Sequence, residues 1–334
     1  MQSDVLVTVI CITFNHRNYI RRCLDSLVNQ KTDFRYEIIV HDDASTDGTG
    51  EIVREYAERY PDLIIPVIEE ENCFSRGIDF IHFNMLPLAS GKYCVEVEGD
   101  DYWCDPDRLR LQVEALEAHP ECVVCVHDTN VVDKDGNPQA MHFPDIPIDH
   151  NIISTEEFME LHLAQGHWLF HLSSFMVTLD LFREFTEFKQ TGFPSRFYKV
   201  GDLPLYLYFS LKGAFYYIDR PMSCYTMESG GFMTRVIEDP VFARRVHIGY
   251  IDGLKAFDEY SGYRFHDAVT GALVERRFEV DRIERRFDRI VQHPEYRPLV
   301  RKRGIIKMTA FYLLGHMMLI FGKKKGKRQK PCRK

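Results

Sequence analysis

The chain has 334 residues, 45% of them apolar and 28% charged, and a net charge of −8. This is ordinary for a soluble globular protein long enough to bury a full core. The charge is unevenly placed, with twelve Lys or Arg and no Asp or Glu from Arg301 onward, which leaves −20 on the first 300 residues. An acidic body excludes nucleic acid as its main partner, whereas the basic tail points to an anionic surface. Nine cysteines, an odd number, are scattered without a secretory signal peptide. Cys122 and Cys125 sit inside an apolar run with no second pair at zinc-ligand spacing, so they read as strand packing. A reduced, cytoplasmic setting is expected.

In chain order, Val5 to Thr13 is a nearly continuous apolar run, as a strand buried on both faces requires. It stops at Phe14-Asn15-His16-Arg17-Asn18. Tyr19, Ile20, Cys23, Leu24, Leu27 and Val28 then recur at helical spacing. Tyr36 to Val40 predicts a second strand, running into the polar loop His41 to Thr49, with a helix from about Gly50 to Arg59. Leu63 to Ile68 predicts a third strand, followed by a loop carrying Glu71-Asn72 and Ser75-Arg76-Gly77 and by a helix toward Leu88. Lys92 to Val97 predicts a fourth strand, which ends in Glu98-Gly99-Asp100-Asp101-Tyr102-Trp103.

Strand and helix in alternation predict an α/β fold, Rossmann-like, with a mostly parallel sheet flanked by crossover helices. Ligands of such sheets bind beyond the carboxyl ends of the strands. The polar loops at 13–18, 41–49 and 98–105 all fall at that edge. A dinucleotide site would need Gly-x-Gly-x-x-Gly after the first strand, where Thr13 to Asn18 holds no glycine; a phosphate-binding P-loop is missing from that turn too. Glu98, Asp100 and Asp101 place three carboxylates within four residues. A hard cation such as Mg2+ or Mn2+ would offset their repulsion and also bind diphosphate oxygens. The plain alternative is a solvated acidic turn.

Ile12 to His16, Val40 to Thr49, and Glu98 to Trp103 followed by Asp105-Pro106 together resemble family 2 glycosyltransferases. These are inverting enzymes of the GT-A fold that use nucleotide-activated sugars. The resemblance is close over roughly residues 4–135 and looser over 136–235. It implies a GT-A domain over 1–235, with a donor half to about 135 and an acceptor half after it. A helical extension would span 236–300 and a basic, partly hydrophobic tail 301–334. Thr13 and Phe14 would line the base or ribose pocket, and Asp43, with Asp42, would hydrogen-bond the uracil or ribose edge. Arg76 would approach the donor phosphates, although a solvated surface arginine is as good a reading of the residue alone. Glu98-x-Asp100 takes the place of the family's Asp-x-Asp, which makes Asp100 the expected metal ligand and puts Glu98 and Asp101 at the donor. Asp47 reads as the cap of the following helix.

The same resemblance implies a catalytic base in Gly201-Asp202-Leu203-Pro204; the alternative for Asp202 is an N-cap. Cys224 to Gly231 resembles a segment that usually reads Tyr-Arg-x-His. Thr226 stands in place of the Arg and Glu228 in place of the His, with Glu228 still able to offer the metal an oxygen. Gly230-Gly231 suits a mobile loop over the donor. His167 to Ser174, with Trp168 and two histidines, reads as a half-buried strand, or as a surface for the acceptor. The implied function is Mn2+- or Mg2+-dependent transfer of a sugar from a nucleotide-sugar donor, a UDP-sugar, to a hydroxyl of a glycan or lipid-linked acceptor. The alternative is a catalytically inactive nucleotide-sugar-binding protein.

Residues from about 241 to 292 look helical. Gly304 to Gly322 is apolar but at the limit of the ~20 residues a membrane span needs. It contains Lys307 and His316 and has basic clusters on both sides. An interfacial segment in peripheral contact with the inner face of the cell membrane suits both clusters; the alternative is a buried C-terminal helix.

Overall fold

The computed structural model describes residues 5–198, 200–227 and 232–302. The chain divides into two compact units, Met1–Ser195 with Gly201–Gly231, and Arg196–Val200 with Phe232–Lys334.

The first unit is built on one sheet. Its strands are β1 (Val5–Thr13), β2 (Arg35–Asp42), β3 (Ile64–Ile68), β4 (Tyr93–Glu98), β5 (Tyr102–Trp103), β6 (Cys122–Val132), β7 (Pro138–Phe143), β8 (Ile152–Ile153), β9 (Met176–Thr178) and β10 (Ala214–Thr226). The order across the sheet is β3-β2-β1-β4-β9-β6-β10-β5, with β7 beside β6 and β8 beside β10. The long pairings β1–β2, β1–β4, β2–β3 and β6–β10 are parallel. Short β9 runs antiparallel to both β4 and β6. The helices are α1 (Ile20–Val28), α2 (Thr49–Arg59), α3 (Arg108–Ala118), α4 (Thr155–Met159), α5 (Leu179–Phe188) and α6 (Asp202–Ser210).

β1 is apolar throughout because both of its faces are covered: Val7, Val9, Ile10 and Cys11 are fully buried. Val7, Val9 and Cys11 share one core cluster with Ile20, Leu24 and Leu27 of α1, Val53 of α2 and Leu109 of α3. Parallel register then aligns the strand ends. Thr13 lies opposite Asp42, Ile12 opposite Glu98, and Asp42 opposite Ile68. The polar ends of β1, β2 and β4 therefore share one edge.

Two segments differ from their sequence patterns. The helix expected toward Leu88 is a single wide turn, Ile81–Met85, with Pro87 just beyond it to oppose continuation. Residues 167–171 form no strand. They lead instead into a 3-10 turn, Leu172–Ser174, where the Ser173 N–H donates to His171 Nδ1 at 3.2 Å and the Ser174 hydroxyl to the His171 carbonyl at 2.7 Å. Side chains that bond their own backbone in this way compete with a strand ladder.

The second unit is helical: α7 (Phe232–Glu238), α8 (Pro240–Tyr260), α9 (His266–Ile283), α10 (Phe287–Gln292) and α11 (Arg297–Lys302). Asp239 Oδ1 caps α8 by accepting the N–H groups of Val241 and Phe242, with Pro240 in the first turn. Gly249 and Gly253, one turn apart on α8, admit residues 197–198. A Cβ at Gly249 would stand 2.4 Å from the Tyr198 nitrogen, and one at Gly253 2.3 Å from the Phe197 ring. Phe278, Phe287, Ile290 and Tyr296 form a separate small core. No described helix is long and apolar enough to cross a membrane; the apolar segment 304–322 lies outside the described residues.

Candidate functional site

The loops after β1 and β2 are bound to each other. Asn15, in the left-handed region at φ 56°, donates its N–H to Ser45 Oγ and accepts the Thr46 N–H on its side-chain oxygen. Asp42 is buried and accepts the Ser45 hydroxyl at 2.5 Å; burial pushes its carboxyl above the usual range. Asp47 accepts the Thr49 N–H at the start of α2 and the Arg17 N–H. Asp43 donates its N–H to the Thr13 carbonyl, and its two carboxylate oxygens accept the N–H groups of Cys73 and Phe74 at 2.6 and 3.1 Å. Asp43 therefore anchors the loop that carries Arg76. The Arg76 guanidinium itself pairs with Glu71 at 2.5 Å in solvent. On either side of this anchor Phe14 and Phe74 stand out, 45% and 60% exposed.

At the end of β4, Gly99 is needed for space. A Cβ there would meet the Thr13 Cβ at 2.8 Å, Thr13 Oγ1 at 2.7 Å and His16 Nδ1 at 3.0 Å. Asp100 reaches toward His16, 3.9 Å from its Nε2. Asp101 turns inward and is almost fully buried. Its Oδ2 accepts the Ser173 hydroxyl at 2.5 Å and its Oδ1 the Thr226 N–H at 2.9 Å, so it joins β4, the 172–174 turn and β10. Burial, with the neighbouring Asp100, pushes Asp101 well above the usual carboxylate range. Glu98 is raised too, by burial first and then by the charges of Asp100, Asp101, Glu96 and Asp202.

Asp202, far along the chain, opens α6. Its Oδ1 accepts the adjacent Leu203 N–H at 2.8 Å, and burial raises its carboxyl. Asp101, Glu98, Asp100 and Asp202 all act on the Tyr225 phenol, adding to the burial that raises it. The Tyr225 ring in turn lies 4.3 Å from that of His171. Four carboxylates, three from the end of β4 and the turn after it and one from the start of α6, thus gather about the carboxyl ends of β1 and β4.

A parallel α/β sheet carrying such an edge accords with the match of residues 8–179, just over half of the chain, to the model of glycosyl transferase family 2. The chain belongs to that family. An uncharacterized protein of Mycobacterium tuberculosis (strain ATCC 25618 / H37Rv) is 42% identical over 130 residues, 39% of this chain and 37% of that protein. The chain therefore spans little more than a third of that curated relative's length. In fold it is similar to S. aureus TarS 1–349, solved in complex with UDP-GlcNAc (TM-score 0.51, 17% identity, 98% of this chain and 93% of that one). It is also similar to the mannosyltransferase PcManGT from Pyrobaculum calidifontis, solved with GDP-Man and Mn2+ (TM-score 0.53, 20% identity, 95% and 87%). The fold is GT-A.

Metal-binding capacity in this family 2 chain can be judged from its own atoms. Among the described residues, Thr13 Oγ1 and His16 Nδ1 are buried at the Gly99 edge with no hydrogen-bond partner. Beside the Glu98 and Asp100 carboxylates these are donor types that Mg2+ or Mn2+ can take, although no three acidic, His or Cys ligand atoms of the described residues come to mutual coordinating distance at this edge. Such ions take one or two carboxylates and complete their shell with water and substrate phosphate. Glu228 lies outside the described residues. Among the described residues the trio of ligand types that does come together is His41, Glu69 and Cys73, at the end of β2. There His41 Nε2 lies 3.3 Å from Glu69 Oε1, which also accepts from Asn84, an internal hydrogen-bond set.

Sequence reasoning missed three participants. Ser173 holds Asp101, and only a hydroxyl in an otherwise aromatic stretch hinted at it. Arg22 reads as an ordinary helix-surface residue, yet its guanidinium lies 4.1 Å over the Tyr102 ring. Arg108 is fully buried beneath Trp103, 4.0 Å from the ring, and burial lowers it to about 9.

Proposed function

We propose that the chain is an inverting, metal-dependent glycosyltransferase that moves a sugar from a nucleoside-diphosphate donor, a UDP-sugar, to a hydroxyl of a glycan or lipid-linked acceptor. The observation that carries this reading is Asp202, a half-buried carboxylate opening α6, raised by desolvation and within electrostatic reach of Glu98 and Tyr225. A carboxylate whose pKa is raised is a better base for a hydroxyl proton. Asp202 takes that proton as the acceptor oxygen attacks the anomeric carbon; the bond from that carbon to the diphosphate oxygen breaks, and single displacement inverts the centre. Asp100, with Glu98 beside it, would hold a divalent cation, which when bound would supply charge stabilisation for the departing diphosphate.

Thr13, Phe14, Asp42 and Asp43 form the base and ribose side. Each Asp43 oxygen, already holding one loop N–H, keeps a further lone pair for a uracil or ribose edge. The Phe14 and Phe74 rings offer stacking faces. Arg76 can exchange Glu71 for a donor phosphate, because an exposed pair of this kind holds only about 0–1 kcal/mol. Asp101 acts from within, keeping Thr226 and Ser173 in place. The UDP-GlcNAc and GDP-Man complexes of proteins with this fold support the donor class, and the Mn2+ in one of them supports the cation. The basic tail, 301–334, supports peripheral contact with anionic lipid on the cytoplasmic face of a membrane.

Asp202→Asn tests the assignment. Calorimetric donor binding should stay near wild type while transfer falls by about 10²–10⁴-fold. Equal loss of binding and transfer would remove Asp202 from the role of base. Donor binding by the wild type without transfer to any acceptor would favour a nucleotide-sugar-binding protein.

A further inference from the structure

Arg22, in the first turn of α1, makes three approaches to the edge of the site. Its guanidinium carbon lies 4.1 Å over the Tyr102 ring. Its Nη2 donates to Thr226 Oγ1 at 3.1 Å. Its Nη1 comes to 3.2 Å of where a Cβ on Gly136 would stand, and Gly136 has φ +86°. A glycine in the β6–β7 turn thus serves both the turn and the space the guanidinium needs.

Thr226 passes this contact on. Its hydroxyl donates to the Asp100 carbonyl at 2.7 Å, and its N–H donates to Asp101 Oδ1 at 2.9 Å. A hydroxyl has one proton. With an Arg22 N–H aimed at the oxygen, that proton is directed to Asp100 and the rotor is fixed. Arginine suits this position because its guanidinium stays charged and its planar fork can stack on Tyr102 while donating sideways. The chain of donors from α1 through the end of β10 therefore terminates on both aspartates of the Glu98-to-Asp101 turn.

We propose that Arg22 is a positioning residue for the cation–diphosphate edge: through Thr226 it fixes the main chain of Asp100 and the side chain of Asp101, and so the geometry in which Asp100 meets a divalent cation. The inference rests on the metal-dependent reading above. It predicts that removing the guanidinium or the hydroxyl weakens the cation before it harms the chemistry.

The test is Mn2+ titrated calorimetrically into the full chain saturated with UDP, and with GDP in parallel, for wild type, Arg22→Met, Arg22→Lys, Thr226→Val and the Arg22→Met/Thr226→Val double variant. Arg22→Met and Thr226→Val should each weaken Mn2+ by about tenfold. The double variant should be little worse than either single one, because both break one path. Arg22→Lys, which keeps the charge and loses the fork, should fall between. In turnover, the Mn2+ needed for half-maximal rate should rise while the rate at saturating Mn2+ recovers. A folded Arg22→Met or Thr226→Val protein with wild-type Mn2+ affinity overturns the proposal, as does a rate loss that saturating Mn2+ does not restore. If Arg22→Met does not fold, Thr226→Val decides alone. Failure of the wild type to bind Mn2+ with either diphosphate would instead sink the metal-dependent reading, and this inference with it.

Discussion

Gly99 separates the carboxylates of Glu98 and Asp100, and its missing side chain is what lets the turn lie against Thr13 and His16. Gly99→Ala would drive a methyl to 2.8 Å from the Thr13 Cβ, an atom fixed to the backbone. Overpacking of this kind costs about 1–3 kcal/mol, and here it must also displace the site. The expected result is a lower urea midpoint together with at least a tenfold loss of transfer; wild-type activity in Gly99→Ala would show that the close approach is dispensable. Asp202 makes a prediction about pH. Only its ionised form can take a proton, and burial raises its pKa. The acidic limb of kcat/KM should therefore lie above the ordinary carboxylate range, with activity rising as pH rises through it. A profile flat down to pH 4 would remove the Asp202 carboxylate from the rate equation. The acidic residues themselves were legible in the sequence because they interrupt apolar runs. Their division of labour was not. Glu98, Asp100 and Asp101 look alike in a string of letters, and only the hydroxyl of Ser173 and the N–H of Thr226 reveal that Asp101 is turned inward.

β4 brings the site its strand and also carries a buried acid of its own. Glu96 is 5% exposed, and burial pushes it up to about 7, against an attraction from Lys189. Its folded-state pKa lies above the ordinary 4.5, so the folded chain holds the extra proton between those values. Stability contributed by this group is therefore lost as pH rises from 4.5 through about 7. Glu96→Gln should be more stable than wild type at pH 8, by about 1–3 kcal/mol, and nearly equal to it at pH 4.5. Urea unfolding at the two pH values checks this, and a less stable Glu96→Gln at pH 8 would contradict it.

β1 to β4, α1 and α2 were readable from sequence because each is long enough to show its period and is bounded by polar loops. β5, β8 and β9 have two or three residues each, too few for any period. Their place in the sheet is set by partners distant in sequence, as when Ser223 pairs with Trp103. The turn at 172–174 escaped for a different reason: its conformation is chosen by side chains bonding their own backbone, which hydrophobic pattern does not report.

At the scale of the whole chain, an acidic body and a basic end are joined in one polypeptide, twelve Lys or Arg with no Asp or Glu after residue 300. Each basic residue near an anionic surface contributes about 1 kcal/mol, screened by salt. The full chain should co-sediment with phosphatidylglycerol vesicles at low salt and be released at high salt, while a chain ending at residue 302 stays in solution. Equal binding by both would place the membrane contact elsewhere or nowhere.

Cation-dependent cleavage of a nucleotide sugar at the Asp100 edge, as proposed above, can be tested directly. The most direct measurement is release of nucleoside diphosphate from a panel of nucleotide sugars, with purified protein, Mn2+ and a mixed pool of glycan acceptors. Release is expected from one donor, abolished by EDTA and by Asp100→Ala, with Mn2+ restoring only the wild type. Release indifferent to EDTA and to Asp100, or no donor bound by calorimetry, would contradict it.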